Sequence, residues 1–211
     1  MSAPLKHKGR PVPYIAAWTA EHVPLPRLRV ESGALAIKGQ RRAAGVLWKP
    51  WRARPGVGEP VFADVHGPRQ RECMLRMWCQ VCRRPVVRNE LGWPWLIEAD
   101  WDKLGWPEGA VTAHPPTCED CQPVAAIQCT PNRGLFVSLR VGQVLADGVY
   151  GQLYRPAATG APVKTGKNTV VFPGNRQLRW MLGGQAAATL VDVTVVDMRT
   201  QAPVSRQAVS R

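Results

Sequence analysis

Cys79-Gln80-Val81-Cys82 and His114-Pro115-Pro116-Thr117-Cys118-Glu119-Asp120-Cys121 place two Cys-x-x-Cys pairs in one chain of 211 residues, with 35 residues between them. A metal clamp, a disulfide frame and a redox couple all use such pairs. The N-terminal stretch MSAPLKHKGRPVPYIAAW (1–18) holds basic residues but no continuous apolar run. That argues against a signal peptide and points to the cytoplasm. Disulfides are rare there, and paired Cys-x-x-Cys turns read as metal sites. A thioredoxin-like couple needs one pair after a strand in a βαβ setting, which two pairs flanking a long segment do not provide.

Zinc takes four soft or borderline ligands in a tetrahedron. One Cys-x-x-Cys turn supplies two thiolates, and a second turn brought close by folding supplies two more. Cys79, Cys82, Cys118 and Cys121 are therefore the expected ligands of one structural Zn2+. Between the pairs, Pro85–Arg88, Asn89–Gly92 and Trp93–Glu98 read as strand, turn and strand. After Cys121, QPVAAIQC (122–129) reads as a short helix, whose positive end favours thiolates at its start. Knuckle, hairpin and helix in that order form a treble-clef-like zinc finger. One departure stands at Arg83, where knuckles often carry glycine. Cys129 and His114 are alternate ligands, set against a buried thiol and an uninvolved loop histidine. Cys73 falls on a predicted helix over 67–79, with Met74, Met77 and Trp78 on its buried stripe.

The remainder predicts an α+β chain in three parts: a Pro/Arg-rich arm with short strands (1–66), the zinc-binding module (67–131) and a β-rich α+β portion (132–211). Twenty prolines and 19 glycines call for many turns, and 45 % hydrophobic residues supply a core. VLWKPW (46–51) reads as a strand interrupted at Pro50. GLFVSLRVG (134–142) and VYGQLY (149–154) read as strands separated by Asp147-Gly148. NRQLRWMLGGQAAATL (175–190) reads as a helix capped by Asn175, and VDVTVVD (191–197) as the last strand. No apolar run reaches the roughly 20 residues of a membrane helix.

Net charge is +13, distributed as +8 over residues 1–60, −2 over 61–130 and +7 over 131–211. Basic flanks around a near-neutral centre suit a polyanion. Trp48 and Trp51 lie among Arg41, Arg42, Lys49, Arg52 and Arg54, the interleaving that stacks bases and binds phosphates. Core tryptophans flanked by solvated charges would give the same pattern. Arg83, Arg84 and Arg88 lie nearest the finger. Arginine outnumbers lysine 21 to 7, a bias that a GC-rich genome also produces.

No GxSxG, Walker or GxGxxG motif is present. The cysteine layout resembles HNH-type endonucleases, yet LIEADWD (96–102) lacks their catalytic His, and QPVAAIQC lacks the metal-binding His or Asn. Asp100, Asp102 and His114 match no known metal signature. The central quarter of the chain is similar to uncharacterised proteins of high-GC actinobacteria and their mobile elements. The residues that carry this are Cys79, Cys82, His114, Pro115, Pro116, Cys118, Cys121 and Cys129. That resemblance implies no activity, and gives more weight to His114 and Cys129. The expected function is non-enzymatic binding with nucleic acid as partner. A protein–protein adaptor or component of a phage-like assembly is the alternative, and a degenerate nuclease the third reading. No small-molecule substrate is evident.

Overall fold

The computed structural model describes residues 5–128, 136–158 and 160–204. Cys129 lies outside them. The amino-terminal segment lays down seven short strands: β1 (Lys6–His7), β2 (Arg10–Pro11), β3 (Ala16–Trp18), β4 (Leu28–Glu31), β5 (Ala34–Ile37), β6 (Leu47–Trp48) and β7 (Pro60–Val65). Frequent prolines keep them short, because each removes a ladder donor. β4 and β5 form a hairpin closed by Ser32 and Gly33, both with positive φ (49° and 71°). That conformation matches the twist of the flanking strands.

Helix α1 (Gly67–Arg76) starts where His66 Nδ1 accepts the Arg69 N–H, with Pro68 in its first turn. It ends at Met77, which is left-handed at φ 54°. Cys73 and Met74 are buried as expected, while Met77 and Trp78 lie past the helix end and are half-buried. Strands β8 (Trp93–Glu98) and β9 (Val111–Thr112) precede α2 (Gln122–Gln128). The carboxy-terminal segment contributes β10 (Phe136–Arg155), β11 (Val163–Lys164), β12 (Thr169–Val171) and β13 (Met181–Val196).

β10 and β13 run antiparallel from Ser138↔Val196 to Leu153↔Met181 and form the spine of a seven-stranded sheet. β8, β11 and β12 add to β10; β6 and β9 add to β13. Strands from all three sequence segments thus share one sheet. Met74 of α1, Trp95 and Ile97 of β8, Leu139 and Val141 of β10, and Ala188 and Leu190 of β13 pack into the main core. Gln70 staples α1 onto it: its Nε2 donates to the carbonyls of Ala113 (2.6 Å) and Ala186 (2.8 Å), and its Oε1 accepts the Ala186 N–H (2.9 Å).

Three sequence expectations change. Asn175 does cap a turn, accepting the Gln177 N–H at 2.9 Å, but Arg176–Trp180 is 3-10 and the chain then enters β13 instead of a helix. Gly183 lies flat against Trp48, whose ring is 2.8 Å from where a Cβ would stand. Pairing with β10 overrides the helical preference of the alanines. Next, β10 is continuous through Asp147-Gly148, which forms a bulge between Leu145 and Gly148 in place of a turn. Finally, the Asn89–Gly92 turn forms, but Pro85–Arg88 does not pair with β8. β8 pairs with β10 along one edge. Its other edge meets the second cysteine segment, where the Pro94 and Trp95 carbonyls accept from Thr117 N–H and Gln122 Nε2. The Val86 N–H is already used, donating to Met77 O at 2.9 Å.

The arm is fastened to α1 by a buried charge cluster. Glu21, fully buried, accepts from Arg69 Nη2 (2.7 Å), the Trp18 N–H (2.9 Å) and the Arg54 N–H (3.3 Å). Burial alone would raise the Glu21 carboxyl, but the Arg69 guanidinium and the Trp18 N–H outweigh it and hold it below its ordinary value. Burial and the neighbouring Arg69 charge keep His66 neutral by lowering its imidazole. Both shifts make the fold acid-labile. His66 stability is complete above the unfolded value of about 6.5 and declines as pH falls from there to its lowered folded value. Glu21 stability is lost below about pH 4.3, as pH falls through its depressed folded value. Urea midpoints measured across pH should fall as pH drops below about 6.5, and His66→Asn, which retains a capping side chain, should flatten that limb.

Candidate metal centre

The first cysteine pair sits in a loop that begins at Met77. The Cys79 N–H donates to Arg84 O (2.7 Å), the Arg83 N–H to Cys79 O (2.9 Å) and the Val86 N–H to Met77 O (2.9 Å), which folds Cys79 and Cys82 to one side. In the second pair, Cys118 is extended at φ −64° and ψ 154° and caps a 3-10 turn, Glu119–Cys121, that continues into α2. The pairs are stitched together by the Gln80 N–H to Pro116 O (3.0 Å) and by Gln80 Nε2 to Thr117 Oγ1 (2.8 Å). Behind them, buried Gln122 donates to the carbonyls of Trp95 and Thr117 and accepts from Ser138 Oγ at 2.6 Å. Arg140 of β10, 1 % exposed, reaches Glu119 and Gln201. This polar network fixes the second turn on the sheet, although Arg140 Nε and Nη1 are buried without a hydrogen-bond partner.

The four sulfurs of Cys79, Cys82, Cys118 and Cys121 all lie within 4.8 Å of one another, and Cys82 Sγ is 3.7 Å from Cys118 Sγ. At that separation these two form no disulfide, and all five described cysteines are free. Hydrogen bonds from the Cys118 and Cys121 thiols and from the Cys82 and Cys118 N–H groups, working against burial, pull Cys79 down to about 4. Hydrogen bonds to Cys118 and Cys79, then burial and the charge resident on Cys79, push Cys121 upward. Four thiolates cannot share this space without a cation, and a divalent ion at their centre removes the conflict. Arg84 adds positive charge at the rim: its Nε donates to Cys82 Sγ (3.3 Å) and its Nη2 to Asp120 Oδ2 (3.0 Å).

Arg83 resolves the missing glycine by adopting the left-handed conformation itself, at φ 61°. Its guanidinium lies over the Tyr14 and Trp78 rings, 4.9 and 5.3 Å from their centroids, and 3.5 Å from Glu72. Those contacts offset a backbone cost of about 1 kcal/mol. Arg83→Ala loses the contacts and keeps the strain; Arg83→Gly loses both. The glycine variant should therefore be the more stable of the two by about 1 kcal/mol in chemical denaturation.

The alternate ligand His114 is exposed and is not part of the four-sulfur group. Its carbonyl accepts from Trp95 Nε1 (2.8 Å), and it lines a separate cleft of about 380 Å3. Cys73 is a core thiol, pushed up by burial.

The proposed nucleic-acid residues separate into groups. Arg42 is committed to the main chain, donating to the carbonyls of Gly45, Leu35 and Arg179. Arg84 is committed to the clamp. Trp48 packs under Arg71, and Trp51 sits edge-on to His22 and tilted against His66, with Lys49 over its ring. Arg41, Arg52 and Arg54 are exposed. Arg88 covers Trp93 at 5.0 Å. Beside Arg83 the sequence reading missed Arg76, 5.0 Å over the Trp78 ring, so Trp78 carries two guanidiniums. The signal was there, since helix α1 delivers Arg76 two residues before Trp78.

Among the described residues no helix is long and apolar enough to cross a membrane. No protein-family model, curated protein or solved structure matches the chain.

Proposed function

We propose that Cys79, Cys82, Cys118 and Cys121 hold one structural zinc ion in a treble-clef-like finger that keeps the knuckle and the helix but not the paired hairpin, and that the protein is a non-enzymatic, cytoplasmic nucleic-acid-binding protein. The sulfur spacing supports zinc: a tetrahedron with arms of about 2.3 Å has edges of about 3.8 Å, against 3.7 Å between Cys82 and Cys118. Zinc would neutralise the thiolates and cross-link the two turns. With all four positions supplied by protein, no site is left for a reactive water.

The observation that carries nucleic acid as partner is the knuckle surface. Arg76 and Arg83 are exposed around a half-buried Trp78, with Tyr14 beside Arg83. Stacked guanidiniums keep their edges free to donate to phosphates, and the rings order long side chains that would otherwise lose entropy on binding. The clamp sets the position of this surface, because Arg83 directly follows Cys82.

Titration of single- and double-stranded 20-mers of DNA and RNA across salt concentrations tests the reading. Affinity should fall linearly on a log–log plot, and Arg76→Gln/Arg83→Gln should shallow the slope by about 0.7–0.9 per lost phosphate contact. No binding at low salt, or a slope near zero, contradicts it and leaves a protein partner as the better reading. The groove beside the clamp, lined by Pro85, Val87 and Pro94 with Val87 79 % exposed, favours that alternative.

A further inference from the structure

The β4–β5 hairpin concentrates charge that the knuckle reading does not use. Leu28, Leu35 and Ile37 point inward and pack with Leu47, Tyr154 and Leu182. The two-residue period therefore turns Arg29 and its partner Ala36 outward. Just outside the ladder, Arg27 precedes β4 and Lys38 follows β5, in the turn closed by the Gln40 N–H on Ile37 O. Glu31 near the turn reaches Arg29 Nε at 2.6 Å, while Arg27 and Lys38 are exposed.

These three cations line an open cleft of about 400 Å3, together with Leu28, Gly160 and Ala161. No lining residue is acidic. Gly160 and Ala161, the small residues of the lining, leave room for a ligand. The volume falls within the range of about 300–1,000 Å3 typical of ligand sites.

We propose that this cleft binds a phosphate-bearing ligand through Arg27, Arg29 and Lys38. Phosphate fits better than a carboxylate for two reasons. Its charge offsets more than one cation, and its oxygens accept both the planar guanidinium fork and the rotatable ammonium. The phosphate could belong to a nucleic-acid backbone or to a free phosphate compound, and the chemistry of recognition is the same. This proposal stands independently of the knuckle.

The test is calorimetric titration of the full, metal-loaded chain with inorganic pyrophosphate at low salt. Binding should be measurable in the wild type and at least about tenfold weaker in Arg27→Gln/Lys38→Gln. Arg52→Gln/Arg54→Gln, which removes the same charge elsewhere, should leave it unchanged. No binding by the wild type, an unaltered double variant, or an equal loss in the control pair would each overturn the proposal. The same variants with a 20-mer oligonucleotide identify the source. Lost affinity in Arg27→Gln/Lys38→Gln assigns the phosphate to a nucleic-acid backbone; unchanged affinity assigns it to a free phosphate compound. Arg76→Gln/Arg83→Gln should retain pyrophosphate binding, so failure of the knuckle reading is distinguishable from failure of this one.

Discussion

A Cys79→Ser variant is expected to lose its metal and unfold the segment from Met77 to Gln122. Cys79 is fully buried and belongs to the four-sulfur group. Its main chain also holds the loop, through bonds to Arg84 and Arg83. A structural zinc site in a small finger contributes on the order of 10 kcal/mol, which matches or exceeds the whole stability of an ordinary domain, about 5–15 kcal/mol. Without the ion the second turn keeps its bonds to Gln80, Gln122, Arg84, Arg140 and the edge of β8. Chelation of the wild type should give the same state. Cys73→Ser is the control: its sulfur is buried beside Cys79 O at 3.9 Å but lies outside the group. It should retain one ion per chain. Hydrogen exchange resolved along the sequence would show lost protection over 77–122 in Cys79→Ser and in chelated protein, and retained protection in Cys73→Ser.

The second large effect is expected at Glu21. Glu21→Gln removes the charge that compensates Arg69, whose guanidinium is only 8 % exposed and also donates to Ala16 O at 2.7 Å. Breaking a buried pair from one side costs about 3–5 kcal/mol, because a charge is left without a counter-ion in a poor solvent. The arm carrying β3 should detach from α1, and denaturation should show a lower midpoint by that amount. Adding Arg69→Met should recover much of the loss, since a pair replaced by apolar groups avoids the desolvation cost that a half-pair incurs. A double variant no more stable than Glu21→Gln would show that the pair is net stabilising.

The gathering of the four cysteines was legible because its information is local. A Cys-x-x-Cys turn brings two sulfurs together within four residues, and only the meeting of two such turns needs the fold. Helix α1 was legible for the same reason, with Pro68 at its start and Cys73 and Met74 at helical spacing. β13 was not. Met181–Leu190 holds two glycines and four alanines or threonines with no clear period, and what makes it a strand is β10, more than 25 residues earlier. β8 was recognised as a strand but given the wrong neighbour: its partner, Phe136–Val141, lies beyond the second cysteine pair. Surface charge was the least readable. Arg42 and Arg83 look alike in sequence, yet one is spent on three carbonyls and the other is set on two aromatic rings.

The most direct test of the account is the metal content of protein purified without chelator, taken together with a count of reactive thiols in the folded state. One zinc per chain is predicted, with Cys79, Cys82, Cys118 and Cys121 protected from alkylation until a chelator is added. A folded protein with no stoichiometric metal, whose four thiols react freely and whose stability ignores chelation, would contradict it.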